Sequence, residues 1–130
     1  EDIIRAFLEG VAYNTNWLLE PFQKFTGRRV KTINIVGGGA QSDIWCQIFA
    51  DVMNVEVRQV TDPVYANARG AAWIGAVGLK ELAFSDIPGL VSFKKIYMPD
   101  PQNRALYTEK FNVFKLIYRQ MKGIYKRLNR

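Results

Sequence analysis

Apolar residues recur at spacings of three, four and seven along the first part of the chain: Ile4, Phe7, Leu8, Val11, Leu18, Leu19 and Phe22. That rhythm predicts one long helix over residues 3–25 with a single apolar stripe, interrupted at Thr15. The segment FTGRR ends it, with Gly27 as a helix cap. Val30–Val36 then reads as a strand whose core, INIV, is mostly apolar. A second helix is predicted over Ser42–Met53, with Ile44, Ile48, Phe49 and Val52 on one face. A second strand follows at Val55–Val60, and Asp62-Pro63 signals a turn.

The third helix, Tyr65–Val77, is built from small residues: Ala66, Ala68, Gly70, Ala71, Ala72, Gly75 and Ala76. Each interior glycine costs a helix about 1 kcal/mol relative to alanine, so close packing against another backbone is the expected gain. Residues 79–103 are irregular and punctuated by proline, with KKIYMP as a short edge strand. The last helix spans Gln102–Leu128, where Tyr107, Phe111, Phe114, Tyr118, Met121, Tyr125 and Leu128 alternate spacings of four and three. Such a seam docks along another helix. Five aromatics on it favour globular docking over a regular coiled coil.

Two strands separated by single helices imply parallel pairing through right-handed crossovers. A sheet of two strands is poor, and both its faces need cover. The layout is that of the back half of a larger α/β domain. The chain opens on Glu1 with an apolar rhythm already running, so it reads as one 130-residue piece of a longer protein, without a signal peptide.

Composition narrows the chemistry. With 48% hydrophobic and 23% charged residues this is an ordinary globular mixture. No apolar run reaches membrane-spanning length. The chain has no histidine and a single cysteine, Cys46. Histidine-dependent triads, His-based zinc sites and thiolate zinc clusters are therefore excluded within it, and a reducing, cytoplasmic setting is expected. The net charge of +6 is lopsided: from Arg104 onward eight basic residues face Glu109 alone. The high pI belongs to the terminal helix, whose charges read first as a solvated polar face and second as a surface for acidic partners.

The candidate site is Gly37-Gly38-Gly39-Ala40-Gln41-Ser42, between the first strand and the second helix. Glycines permit a sharp turn at positive φ and let a ligand reach the backbone. Ser42 can cap the helix, whose first amides then face an incoming anion. A tight turn with no ligand explains the same residues. A P-loop is excluded because no lysine follows the glycines. A dinucleotide fingerprint is one glycine short, with Ser42 in the third position. Asp62 stands in place of its ribose-binding acid, about 25 residues on where the fingerprint has about 20.

The segment IVGGGAQSDIWCQIFADVMNVEV, followed by RQVTDPVYANARGAAWIGAVGL, resembles the ATP-side half of the FGGY carbohydrate kinases, of the actin, hexokinase and Hsp70 superfamily. The preceding RAFLEGVAYN resembles the helix before that family's adenosine motif. The ending RALYTEKFNVFKLIYRQMKGIYKRLN resembles the C-terminal helix of xylulokinase-type members. The resemblance covers nearly the whole chain. It implies the C-terminal part of an actin/hexokinase-like (ribonuclease H-like) domain: two parallel strands, flanking helices and a long docking helix at about 102–128. It implies ATP with Mg2+ as cofactors, Gly37, Gly38 and Gly39 against the α-phosphate and ribose, Ala40 completing the turn, and Ser42 near the adenine. The helix from Ala68 to Gly75 would lie beside the cleft.

The same resemblance implies phosphoryl transfer from ATP to a sugar hydroxyl, of xylulose or a related ketose or polyol. The family's catalytic aspartate and its phosphate-binding hairpin have no counterpart here, and Asp43, Asp51, Asp62 and Asp86 do not match that motif. No catalytic residue is assigned, and the chain alone is expected to be inactive. Trp45 and Cys46 are expected to pack, and Arg69 to lie on the surface. The expected partners are ATP or ADP and a sugar bound by another domain, with no specific nucleic acid, no membrane and self-association into a homo-oligomer through uncovered apolar faces. The competing readings are a dinucleotide-dependent oxidoreductase and an interaction module working through the basic last helix.

Overall fold

The computed structural model describes residues 2–129. Helix α1 spans Asp2–Thr26, strand β1 Thr32–Ile35, helix α2 Asp43–Met53, strand β2 Glu56–Val60 and helix α3 Ala66–Gly78. The single turn α4 is Ile87–Leu90, strand β3 Phe93–Tyr97, and helix α5 Arg104–Leu128. Gly27, at φ +65°, ends α1 in the left-handed conformation expected of a cap.

β1 and β2 pair in parallel, with Ile33 opposite Val57 and Ile35 opposite Gln59. The sheet has a third strand: β3 runs antiparallel along the other side of β2, with Tyr97 opposite Val57. The expected pair of strands is therefore a trio, and KKIYMP contributes most of the added edge. Phe93, Lys95 and Tyr97 alternate with Lys94 and Ile96, the period of two that suits a strand, and Pro99 and Pro101 stop it. β2 becomes the central strand, which explains why Val57 and Gln59 are wholly buried.

One face of this sheet is covered. α2 lies across it with Cys46, Ile48, Phe49, Val52 and Met53 turned inward, and Ala12 and Tyr13 of α1 complete the core with Tyr107 and Phe111 of α5. The other face leaves Asn34 and Ile96 exposed.

α1 departs from its expected orientation. The side turned to the core carries Glu9, Ala12 and Tyr13, while Ile4, Phe7, Val11, Leu18 and Phe22 of the apolar stripe are exposed. The helix has two usable faces, and the smaller one is packed here. Tyr13 stacks on Phe111 and tilts against Phe114 and Tyr107; Trp17 meets Phe114 and Tyr118 edge-on. The first half of the α5 seam thus docks on α1, whereas Tyr125 and Leu128 are exposed.

At the centre of the α1–α5 contact sits Glu9. Its carboxylate accepts from Arg5 Nε (2.9 Å), Lys110 Nζ (3.1 Å) and the hydroxyls of Tyr107 (3.1 Å) and Tyr13 (3.4 Å). Burial pushes this carboxyl up, and the Lys110 and Arg5 bonds outweigh it, leaving it below the ordinary range. Asp51, also buried, accepts from Asp100 N (2.8 Å) and Asn103 Nδ2 (3.0 Å), fastening the entry of α5 to α2.

Candidate functional site

The glycine turn stands where the carboxyl end of β1 meets the start of α2, beside the turn that follows β2. Ligands of open α/β sheets bind at this end of the strands. Gly37 lies at φ +88°, a conformation that costs a side chain dearly. Its amide donates to Pro63 O (2.8 Å), tying the two strand-end turns together. Residues Gly38–Gln41 then form one 3-10 turn, closed by Ala40 N to Gly37 O and Ser42 N to Gly39 O, both 3.1 Å.

The three glycines differ in what they permit. A Cβ on Gly39 would overlap the Trp45 ring. That ring is held by its own N–H bond to Leu8 O (3.2 Å) and packs against Phe49, so moving it disturbs both. A Cβ on Gly38 would meet open space. Gly38 is therefore the position where packing does not demand glycine and where an approaching ligand would need the bare backbone. Ala40 is buried. Ser42 caps α2, its Oγ accepting from Trp45 N (3.3 Å). The five expected residues, Gly37, Gly38, Gly39, Ala40 and Ser42, are thus brought together in one short loop.

Two residues that the apolar rhythm did not single out support this loop from below. Gln59, on the central strand, donates from Nε2 to Ala40 O (2.6 Å) and to Asp43 Oδ1 (3.3 Å), and Tyr97 donates its hydroxyl to Gln59 Oε1 (3.2 Å). The signal available in the sequence was a glutamine within an otherwise apolar alternation, Val57-x-Gln59. Around them, Asp43 accepts from the Gln59 amide and stands 3.8 Å from Lys94 Nζ and 3.6 Å from Lys95 Nζ. Burial pushes the Tyr97 phenol up, so it remains a neutral donor, and pushes the Cys46 thiol up, consistent with packing and not reactivity.

The remaining expectations divide. Arg69 donates to Thr61 O (2.7 Å), so its guanidinium ties α3 to the end of β2. Asp62 sits at φ +47° in the turn after β2, and its carbonyl accepts from Tyr65 N (3.1 Å). α3 does not use its glycines for close packing: Gly70 and Gly75 face open space, and no residue of the helix is buried. Its small-residue surface is uncovered among the described residues. Among the described residues, no group of three acidic, histidine or cysteine side chains gathers to hold a metal ion.

Residues 1–79 match the family model described as the FGGY family of carbohydrate kinases, C-terminal domain. The chain belongs to this family. A xylulose kinase from Bacillus subtilis is 32% identical over 127 residues, covering 93% of this chain and 24% of that protein. A glycerol kinase from Thermus brockianus is 33% identical over 110 residues, covering 81% and 22%. The crystal structure of xylulose kinase from Rhodospirillum rubrum superposes with a TM-score of 0.75 at 27% identity, covering 94% of this chain and 25% of that one. The chain therefore spans about a quarter of the length of the relatives it matches, and its fold is part of the actin/hexokinase-like architecture of these FGGY kinases.

Proposed function

We propose that this chain carries the adenosine side of an ATP site, and that the intact protein transfers the γ-phosphoryl group of Mg-ATP to a sugar hydroxyl. The observation that carries the reading is the open backbone at Gly38. Of three consecutive glycines, Gly37 is needed for its φ and Gly39 for the Trp45 ring, while Gly38 has no such demand within the chain. A ligand seated on the turn supplies one. The free amides at the start of α2 favour an anion there, as the phosphates of a nucleotide provide.

The fit to ATP is partial in a specific way. The turn offers bare backbone for the α-phosphate and ribose, and the uncovered small-residue side of α3 offers a wall. We assign no general base among the described residues and place the groups acting on the γ-phosphate and the sugar in other parts of the protein. The metal accompanies the triphosphate. Phosphoryl transfer depends on positioning and charge stabilisation, and half a cleft provides positioning alone. The acceptor we favour is xylulose, supported by the relative and the solved structure of that name.

Gly38→Ala tests the reading. The added methyl enters open space, so folding stability should change by less than about 0.5 kcal/mol. Affinity for ADP-Mg, measured by calorimetry, should fall about tenfold or more, the loss of roughly 1.4 kcal/mol. Unchanged affinity would remove the turn from the nucleotide site.

A further inference from the structure

Glutamine is an unusual choice for the middle of a central strand. Gln59 is 0% exposed, between Ile35 on β1 and Lys95 on β3 in the sheet register. A buried amide costs free energy unless each polar group is satisfied, and an aliphatic side chain would fill the space without that demand. Here every group is satisfied, and the partners are informative. Both Nε2 protons go upward, one to the Ala40 carbonyl at 2.6 Å and one to Asp43 at 3.3 Å, and Oε1 receives the Tyr97 hydroxyl at 3.2 Å. A phenol donating to Oε1 fixes which end of the amide faces the turn.

The Ala40 carbonyl has a particular place in that turn. The carbonyls of Gly37 and Gly39 are taken by the amides of Ala40 and Ser42, inside the loop itself. That of Ala40 points into the core, where Gln59 takes it and the Cys46 thiol approaches at 3.7 Å. The loop is thereby bonded from β2 at the Ala40 carbonyl.

We propose that Gln59, oriented by Tyr97, is a positioning residue for the nucleotide turn: by clamping the Ala40 carbonyl it sets the height and tilt of the Gly37–Ser42 backbone that receives the ligand. This rests on the ATP-site reading given above. Gln59 reaches the nucleotide only through Ala40 and Asp43. Gln59 thus adds a side-chain tie from the sheet to the loop, beside the backbone bond from Gly37 N to Pro63 O and the loop's own two bonds.

The test uses Gln59→Leu, which keeps the volume and removes both donors, and Tyr97→Phe, which keeps the packing and frees the amide to flip. Two readouts are taken on each: amide hydrogen exchange at Ala40, Gln41 and Ser42 without ligand, and the Kd for ADP-Mg. For Gln59→Leu, exchange at these amides should accelerate about tenfold while that of Val57 is unchanged, and the Kd should rise about tenfold. Tyr97→Phe should shift both in the same direction by about threefold, and it serves alone if the leucine variant fails to fold. Wild-type exchange and Kd in both variants would overturn the proposal. Faster exchange in a chain whose wild type binds no ADP would keep the clamp and discard the ATP site. A raised Kd with unchanged exchange would overturn the clamp and leave the ATP site standing.

Discussion

Gly37 and Gly39 show how two residues of one type can be required for different reasons. Gly37 is fixed by its own backbone, Gly39 by a neighbour. Gly39→Ala must displace the Trp45 ring, and with it the bond to Leu8 O that joins α2 to α1. Overpacking of this kind costs about 1–3 kcal/mol, so the variant should unfold at clearly lower urea than wild type. Equal midpoints would mean that the ring moves freely. The GGGA segment was legible in the sequence because glycine runs are rare and the capping serine follows at once. Gln59 was not, because its role depends on a tertiary contact 19 residues away. Spacing along a strand says which face a residue takes, not what it reaches.

Among elements, α1 is the instructive case. Its 3.6-residue rhythm predicted the helix well, and residues 3–25 agree with Asp2–Thr26. The apolar stripe that the rhythm marks is not the face that packs against α5. Glu9, a charged residue, is buried while Phe7 is 73% exposed. Tyr13, Trp17 and the Glu9 cluster form the contact to α5, and four hydrogen bonds make a buried carboxylate tolerable. β3 was only partly legible, because two of its five residues are lysines. The Glu9 carboxyl lies below its ordinary value when folded, so its contribution is present above about pH 4.3 and is lost as pH falls through the folded value. Near-ultraviolet circular dichroism of the Tyr13, Trp17 and Tyr107 cluster should therefore weaken on acidification below that pH. Glu9→Gln should abolish most of this dependence and lower stability at pH 7 by about 1–3 kcal/mol. A variant with the wild-type acid transition would show that Glu9 does not hold the helices.

At the scale of the molecule, three surfaces lack cover among the described residues: the outer stripe of α1, the open face of the sheet and the side of α3. Phe25 is 91% exposed. Ile4, Phe7, Val11, Leu18 and Phe22 are exposed on the same helix, and large apolar side chains left open in this number mark an interface. We propose that the remainder of the intact protein covers these surfaces, in keeping with relatives about four times as long. On its own the chain should self-associate, with a sedimentation coefficient that rises with concentration. Phe7→Lys with Phe25→Lys should suppress that rise; a monodisperse wild type at high concentration would contradict it. The sequence conveyed the parallel β1–β2 pair and the family, but uncovered faces emerge only once side chains are placed. We propose that this chain holds a preformed adenosine half-site. The most direct measurement is an amide-resolved NMR titration of the chain with ADP-Mg, with NADH in parallel. The account predicts saturable shifts for ADP at Gly37–Ser42 and the first turn of α2, with weaker or no shifts for NADH. Shifts for NADH alone, or none at the glycine turn with ADP at millimolar concentration, would contradict it.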